Sequence, residues 1–395
     1  MNVLTLIGSL TTVKKPTSSI EKLIGHTKEN GLTPNEIFEL AKVLAQSGVQ
    51  INHGQTYDIP STGGPSSLST LLCPLFLKIS GKMVLKLGVP GRPAGGIDVL
   101  SLIKGYKVSP AKEEIEEWLK QTGYVHFLVN DDFAPLDKQI FNYRKANDAL
   151  NIPSLVVASI LSKKIAVGVT NVGLDIRVSG FGNFGKTWNE AKKNAKLFIQ
   201  VAKLAKISAK CFITNGTTPQ QPFIGRGEAL LAIKKIISGE MDYKLKSHLA
   251  ICYSMASSLT NSNSIPMSLP LLKAAFEENV LIQKGSVDSF YEIAERIEQE
   301  HTNLILASDS GFLVLDLDRI RSAIVRVQQM SDAETFTDPC GIILLATTYD
   351  YVRKGDIICS FRCIESEKAQ FKNEVISSIS LKNELIKSND FEVII

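Results

Sequence analysis

The sequence predicts an α/β protein with a mainly parallel sheet, and two observations support this fold class. Residues 172–178 and 206–214 have the composition of strands, and the helix between them begins with the capping box Thr187-Trp188-Asn189-Glu190. Two strands joined by a helix form a βαβ unit, which implies parallel pairing. The second observation is the length, because 395 residues exceed one ordinary core and predict two or three domains.

The N-terminal part of the chain has helical patterns. Residues 17–30 predict a short helix. Thr33 and Glu36 form a capping box with Pro34 at the first helical position, so a second helix begins here and runs to about Gly48. Its apolar positions recur with helical spacing on one face, at Ile37, Leu40, Ala41 and Leu44.

Two glycine-rich turns, residues 58–67 and 88–98, bracket one amphipathic segment. The first turn combines several hydroxyl side chains with Gly63 and Gly64, whose backbone N–H groups are not obstructed by a Cβ. Unsatisfied N–H groups and the helix dipole both favour an anion at the start of a helix. The turn is therefore interpreted either as an anion cradle or as a plain loop that uses glycine for its turn.

Strand and helix patterns continue beyond the second turn. Residues 124–129 predict a buried strand. From Ala323 onward the pattern shifts to short alternating strands. Helical patterns cover residues 109–123, 137–150, 153–168, 225–237 and 245–259.

Composition and charge exclude several classes of protein. A hydrophobic content of 44% with 21% charged residues is that of a globular protein, and a net charge of +4 is too small to indicate nucleic-acid binding. The N-terminus lacks the features of a signal peptide, and no apolar stretch is long enough to span a membrane, so we expect a cytoplasmic protein without a membrane partner. The six cysteines include no Cys-x-x-Cys pair and are expected to be reduced and structural.

Four motifs occur in an order and spacing that resemble the thymidine and pyrimidine-nucleoside phosphorylase family. They are Ser61-Thr62-Gly63-Gly64, Gly95-Gly96-Ile97-Asp98, Ala134-Pro135-Leu136-Asp137-Lys138 and Ala158-Ser159-Ile160-Leu161-Ser162-Lys163-Lys164. The chain departs from the family pattern twice. It has Ile59-Pro60 where the family has Lys-His, and the family's Ser-Gly-Arg-Gly-Leu-Gly-His-Thr-Gly-Gly-Thr turn is replaced by the turn from Gly88 to Ile97.

The resemblance implies three domains and, in the family, a dimer. A small split all-α domain would comprise residues 1–51 and 136–168. A large α/β domain with a mainly parallel sheet would comprise residues 52–135 and 169–320, and a C-terminal α+β domain residues 321–395. The N-terminal helical region supplies dimer contacts in the family and is shorter here, so a homodimer is one possible state.

The resemblance also assigns a base-binding trio, Arg144, Ser159 and Lys163, of which Arg144 and Lys163 would be catalytic. Ser159 and Lys163 are four residues apart on a predicted helix, so they share a face and can converge on one ligand. A pyrimidine base presents two carbonyls and an N–H, which a cation and a hydroxyl can recognise. Taken alone, a Lys-Lys pair on a helix is typical of a solvated surface.

Phosphate binding is implied for the first glycine-rich turn and its neighbours. The expected ligands are Ser61, Thr62, Gly63, and Ser69 or Thr70, where the alignment is uncertain by one residue. Arg92, inside the second glycine-rich turn, is the predicted substitute for the missing lysine. The alternative is that Arg92 braces its own turn by pairing with Asp98.

A third glycine-rich segment, residues 180–185, matches Gly-x-Gly-x-x-Gly between a strand and a helix. A nucleotide-cofactor site would require an acidic residue about twenty positions later. Residues 202–206 read Ala-Lys-Leu-Ala-Lys, so the segment is interpreted as the family's own active-site loop. We expect no cofactor other than inorganic phosphate as co-substrate, and no metal, because no two histidines have metal-ligand spacing.

The function that follows is reversible phosphorolysis of a pyrimidine nucleoside to free base and pentose 1-phosphate. Because the phosphate side departs from the family, two alternatives stay open. One is nucleoside glycosyl transfer or hydrolysis with a different acceptor. The other is a non-catalytic protein that binds a pyrimidine nucleoside.

Overall fold

The computed structural model describes residues 2–12, 16–91, 93–129, 132–180, 182, 184–261, 265–329, 336–384 and 393–394. The helices are α1 Val3–Thr12, α2 Thr17–Asn30, α3 Pro34–Gln46, α4 Ser69–Ile79, α5 Gly96–Leu100, α6 Lys112–Thr122, α7 Pro135–Ala146, α8 Pro153–Ala166, α9 Trp188–Leu204, α10 Arg226–Ile237, α11 Tyr243–Thr260, α12 Leu269–Ile282, α13 Val287–Glu300, α14 Leu317–Gln329 and α15 Lys368–Ser377. The strands are β1 Thr56–Asp58, β2 Met83–Gly88, β3 Tyr124–Leu128, β4 Asn171–Val178, β5 Ser208–Asn215, β6 Phe223–Ile224, β7 Asn303–Leu306, β8 Gly311–Leu315, β9 Cys340–Leu344, β10 Tyr351–Val352, β11 Ile357–Cys363, β12 Ile379–Lys382 and β13 Val393–Ile394.

The main sheet has the strand order β13-β5-β4-β1-β2-β3. Strands β1 to β5 pair in parallel, and β13 joins the edge of the sheet antiparallel to β5. The predicted α/β class with a mainly parallel sheet is confirmed. Strands β1 and β4 are neighbours although α7 and α8 lie between them in the chain, so this helical piece is inserted into the sheet-forming sequence.

Apolar side chains of the main sheet pack against helices on both faces. One core joins the face of β4 that carries Val172, Leu174 and Ile176 to helices α1 to α3 and α6 to α9. A second core covers the opposite face with α4 and α10 to α13. Helix α3 begins with the predicted capping box, in which Thr33 and Glu36 each bind the other's backbone N–H.

A third core lies between two small antiparallel sheets and helices α14 and α15. Strands β6-β9-β11-β7 form one of these sheets and β10-β8-β12 the other. Strand β6, which directly precedes α10 in the chain, pairs with β9 and so connects the small sheet to α10. The domain boundaries expected from the sequence stay predictions.

Residues 317–329 form helix α14, so the prediction of short strands from Ala323 onward is wrong for this segment. Its buried residues recur at three- and four-residue spacing, which places them on one helical face. The strands begin only at β9. The buried residues of α14 are Leu317, Ile320, Ala323, Ile324, Val327 and Gln328.

All six cysteines are free thiols, and Cys363 is less buried than the others. Burial raises the pKa of the Cys363 thiol to about 11. Among the described residues no helix is both long and apolar enough to cross a membrane.

Candidate active site

The first glycine-rich turn follows β1 at the carboxyl edge of the main sheet, where parallel α/β sheets bind ligands. We call residues 61–69 the cradle. Ser61 forms an isolated parallel bridge with Asp175 of β4, and the Thr62 N–H donates to the Asp175 carbonyl at 2.9 Å. Gly63 and Gly64 have φ angles of 104° and 138°, a region that strongly favours glycine. The turn is thus fixed to β4 and uses glycine where its backbone requires it.

Asp175 and Arg177 of β4 organise the hydroxyl groups of the cradle. Ser69 Oγ donates to Asp175 Oδ2 at 2.6 Å, and Arg177 Nη2 donates to the same oxygen at 2.8 Å. Nη2 also donates to Ser67 Oγ at 2.9 Å. The Arg177 backbone N–H donates to Thr62 Oγ1 at 2.9 Å. Both side chains are buried, so this ion pair lies beneath the cradle, shielded from water.

His248 of α11 supports the end of the cradle. Its Nε2 accepts a hydrogen bond from the Leu68 N–H at 2.9 Å, next to the first residue of α4. An accepting Nε2 must be unprotonated. Burial, together with the nearby charge of Arg177, lowers the pKa of His248 to about 3, so the imidazole is neutral at physiological pH.

The second glycine-rich turn packs beside α4. A Cβ on Gly96 would lie 3.1 Å from Thr70 Oγ1 and 2.8 Å from His126 Cε1, so only glycine allows this approach. Asp98 Oδ2 accepts from the Gly91 N–H at 2.7 Å, and Asp98 Oδ1 accepts from Nη2 of Arg226 at 3.0 Å. The predicted phosphate ligand Arg92 lies outside the described residues.

Two lysines share one buried carboxylate just before the cradle. Lys86 Nζ donates to Asp58 Oδ1 and to the Ile59 carbonyl, each at 2.9 Å, and Lys164 Nζ donates to Asp58 Oδ2. Burial alone would raise the pKa of Asp58, but the charges of Lys164 and Lys86 outweigh it and lower the pKa. Burial lowers the pKa of Lys164, and Asp58 only partly opposes that shift.

The predicted base-binding residues Lys163 and Ser159 lie together on α8, as their spacing predicts. Lys163 Nζ donates to Ser159 Oγ at 2.9 Å, to the Ser159 carbonyl at 2.8 Å and to Asp137 Oδ2 of α7. These three bonds use all three ammonium hydrogens. Because Ser159 Oγ accepts from Lys163, its own hydrogen is available to donate to a ligand. Asp137 Oδ1 is buried and meets no donor among the described residues.

Arg144 of α7 is buried and directed at the loop between α7 and α8. Its Nε donates to the Ala149 carbonyl at 3.1 Å, Nη1 to the Leu155 carbonyl at 3.3 Å and Nη2 to the Leu150 carbonyl. Three of its five N–H groups are therefore bound to backbone. Burial lowers the pKa of Arg144, and Asp137 opposes the shift.

The predicted residues thus form two groups. Ser61, Thr62, Gly63, Ser69 and Thr70 lie in or beside the cradle, whereas Arg144, Ser159 and Lys163 lie on the inserted helices. Adjacent lysines on α8 connect the groups, because Lys163 binds the carboxylate of α7 and Lys164 binds Asp58.

The sequence patterns did not indicate the buried charged residues around the cradle. One signal was available for two of them, because charged residues at alternate positions of an apolar strand face one side of the sheet. The residues missed are Asp58, Lys86, Lys164, Asp175, Arg177 and His248.

The third glycine-rich segment follows β4, as the motif requires. Gly182 lies close to three backbone carbonyls, and Gly185 has a φ of 142°. Phe181 and Asn183 of the motif lie outside the described residues. Among the residues that the structure does describe, no three histidine, cysteine, aspartate or glutamate side chains are grouped so that they could bind a metal ion.

No family model matches the chain. The chain is similar to pyrimidine-nucleoside phosphorylase of Geobacillus stearothermophilus, with 23% identity over 380 residues that cover 89% of this chain and 85% of the relative. It is also similar to AMP phosphorylases of two Methanococcus maripaludis strains. Each is 27% identical over 373 residues, which cover 90% of this chain and 71% of the relative.

Among solved structures, anthranilate phosphoribosyltransferase from Thermus thermophilus aligns with a TM-score of 0.45 and 12% identity, over 75% of this chain and 98% of that chain. Anthranilate phosphoribosyltransferase from Saccharomyces cerevisiae aligns with a TM-score of 0.48 and 11% identity, over 75% of this chain and 91% of that chain.

Proposed function

We propose that the chain is a divergent member of the thymidine and pyrimidine-nucleoside phosphorylase family and that it cleaves a pyrimidine nucleoside with inorganic phosphate. Enzymes of this type are pentosyltransferases. The products would be the free base and a pentose 1-phosphate, and no further cofactor would take part.

The observation that carries the proposal is the connection between the two groups of residues. A phosphorolytic enzyme must neutralise phosphate on one side of the sugar and polarise the base on the other. Here Asp58 lies shortly before the cradle in the chain, separated from it by Ile59 and Pro60, and Asp58 is bound by Lys164, the neighbour of Lys163. The candidate base side and the candidate phosphate side are therefore joined through a single buried ion pair.

In the proposed reaction, a phosphate oxygen attacks the anomeric carbon as the glycosidic C–N bond breaks. The electron pair of that bond moves to the base, whose negative charge is distributed over its carbonyl oxygens. The Ser159 hydroxyl would donate to one carbonyl, and the ammonium of Lys163 would stabilise the developing charge. Arg144 would fix the α7–α8 loop and direct its remaining N–H groups at the ligand.

The base and the sugar are the finer part of the proposal. Two similar proteins are AMP phosphorylases, whose name specifies a purine nucleotide as substrate. We favour a pyrimidine, because the motif from Ala158 to Lys164 supplies a hydroxyl donor and a cation on one helical face. A small donor set of this kind matches a base edge with two carbonyls.

The test is a turnover assay with purified protein, in which uridine, thymidine, adenosine and AMP are each incubated with and without inorganic phosphate. The proposal requires release of pyrimidine base only when phosphate is present. Release without phosphate would indicate another acceptor, and tight binding without release a non-catalytic protein. Phosphorolysis of AMP alone would replace the pyrimidine substrate by a purine nucleotide.

A further inference from the structure

Within the part of the chain that the structure describes, the five charged side chains that form ion pairs beneath the cradle do not balance. Lys86, Lys164 and Arg177 are the cations, Asp58 and Asp175 are the carboxylates, and none of these side chains is more than 5% exposed. Three cations facing two carboxylates leave one positive charge in excess. A buried charge without a counter-charge is unfavourable, so this arrangement favours an anion as the missing partner.

Arg177 is the cation with donors to spare. Its two Nη2 hydrogens are bound by Asp175 and Ser67, as described above. Nε is buried and meets no acceptor among the described residues. The hydrogen bonds that the described residues accept from this guanidinium both come from Nη2, which leaves Nη1 for a ligand. Three N–H groups of one buried guanidinium are therefore left for a ligand. A buried donor without an acceptor, such as Nε, is rare in folded proteins.

The cradle lies against this guanidinium. The Cβ position of Gly64 is 3.8 Å from Arg177 Cγ, so the side chain passes beneath the glycine pair. Thr62 Oγ1 accepts from the Arg177 N–H, and its own hydrogen can donate to an anion. The start of α4 adds the helix dipole, which favours negative charge at the same end.

We propose that Arg177 binds inorganic phosphate in the cradle and supplies the positive charge that the family places at the position of Ile59. This inference rests on the proposed function and identifies Arg177 as the residue that binds the phosphate co-substrate. Arg177 would donate to phosphate oxygens through Nε and Nη1 while Asp175 fixes Nη2. The chain would therefore supply its cation from β4 instead of from the residue that follows β1.

The first experiment is calorimetric titration of inorganic phosphate into the full chain, alone and with saturating uridine. We expect R177Q to weaken phosphate binding by about tenfold to a hundredfold, the worth of a charge-assisted hydrogen bond, and R177K to recover part of it. Uridine affinity should stay within about twofold of the wild type, since the side-chain hydrogen bonds of Arg177 go to Ser67 and Asp175 and not to Ser159 or Lys163. R296Q, on the exposed face of α13, is the matched control and should behave as wild type.

Two outcomes overturn the inference. One is phosphate affinity in R177Q within about twofold of the wild type. The other is loss of phosphate binding in R92Q but not in R177Q, which would make Arg92 the cation. A further titration, with uridine 5′-monophosphate, distinguishes inorganic phosphate from a phosphate group that belongs to the substrate. If R177Q weakens uridine 5′-monophosphate and leaves inorganic phosphate unchanged, the site binds a substrate phosphate and the inference fails.

Because R177Q also leaves Asp175 unpaired, it could fail to fold, and a measurement on the wild type covers that case. A crystal structure grown with phosphate should place the anion within hydrogen-bond distance of Arg177 Nε or Nη1. An anion in the cradle that does not touch Arg177 contradicts the inference. Phosphate binding that depends on Arg177 without turnover would refute the proposed function alone, and unchanged turnover in R177Q would refute the inference alone.

Discussion

At the scale of single residues, Ser159 gives the cleanest test of base recognition. Its hydroxyl accepts from Lys163 and can donate to a base carbonyl. S159A should weaken uridine binding by about 0.5–1.5 kcal/mol, and K163A by about 1.5–3 kcal/mol, because the second change also removes a charge. Calorimetry measures both. S162A is the control, since that hydroxyl donates within its own helix to the Ser159 carbonyl. Unchanged uridine affinity in both S159A and K163A would exclude this base site.

His248 predicts a pH dependence of stability. Its pKa of about 3 in the folded protein is below the value of 6.5 for a free histidine, so between these values the unfolded chain binds a proton that the folded chain does not. The free energy of unfolding therefore falls as the pH drops below 6.5. Between pH 7 and pH 5 the advantage of the wild type over H248Q should shrink by about 2 kcal/mol.

The measurement is denaturant unfolding of the wild type, H248Q and the control H26Q at several pH values. Glutamine at position 248 can still accept from the Leu68 N–H but does not titrate. H26Q, changed on α2, should follow the wild type at every pH. If the free energy of unfolding changes with pH in the same way in the wild type and in H248Q, His248 is not the source of the pH dependence.

The site could be predicted from sequence only where the signal is local. The four-residue spacing of Ser159 and Lys163 places them on one helical face, and in the structure their side chains are hydrogen-bonded to each other. Burial of Lys164 has no local signal, because its partner Asp58 is 106 residues away in the chain. Asp98 accepts a hydrogen bond from Arg226 of α10, 128 residues away in the chain, which no short-range pattern could indicate.

At the scale of elements, a buried ionic cluster connects α10 to the small sheet of β9 and β11. Arg362 Nε and Nη2 donate to Glu228 at 2.6 and 3.1 Å, and Nη2 also lies 2.6 Å from Asp338 Oδ1. His301 Nε2 lies 2.9 Å from Glu228 Oε1. Burial raises the pKa of Asp338, whereas Arg362 and His301 outweigh burial and lower the pKa of Glu228.

R362M should destabilise the protein by about 3–5 kcal/mol, because it leaves two carboxylates buried without their cation. Denaturant unfolding checks the value. R353M, in the exposed turn after β10, is the control and should change the free energy of unfolding by less than about 0.5 kcal/mol. A loss in R362M no larger than that of R353M would mean that water reaches the cluster and replaces the cation.

Helices and strands, like the site residues, could be predicted where the sequence signal lies within one short segment. Helix α3 was predictable because its capping box and apolar face lie within one short segment, from Thr33 to Gln46. For the part of α14 from Ala323 onward the sequence pattern predicted short strands, but the buried positions recur with helical spacing and the segment is a helix. Packing of this face against the third core stabilises the helix.

At the scale of the whole molecule, the inserted helices are joined to the sheet by two short connections. Ala134, with φ of 52°, precedes α7, and Gly168, with φ of 67°, follows α8. A ligand that touches both Ser159 and the cradle would draw the insert toward the sheet about these connections. Small-angle scattering should record a smaller radius of gyration with uridine and phosphate together than with phosphate alone. Identical profiles would mean that the site is preformed.

The order of strands in the main sheet has a consequence during synthesis. Strand β1 is the edge of a three-stranded sheet until β4 leaves the ribosome, because β4 is its partner on that side. The apolar residues of α3 likewise stay exposed until α8 has been synthesised, because the two helices belong to the same core. A nascent chain that has not passed residue 178 therefore exposes an unpaired parallel edge, the kind of surface on which chains aggregate. We expect chains stalled within the insert to need a chaperone, and chains that have completed β4 and β5 to be released from it.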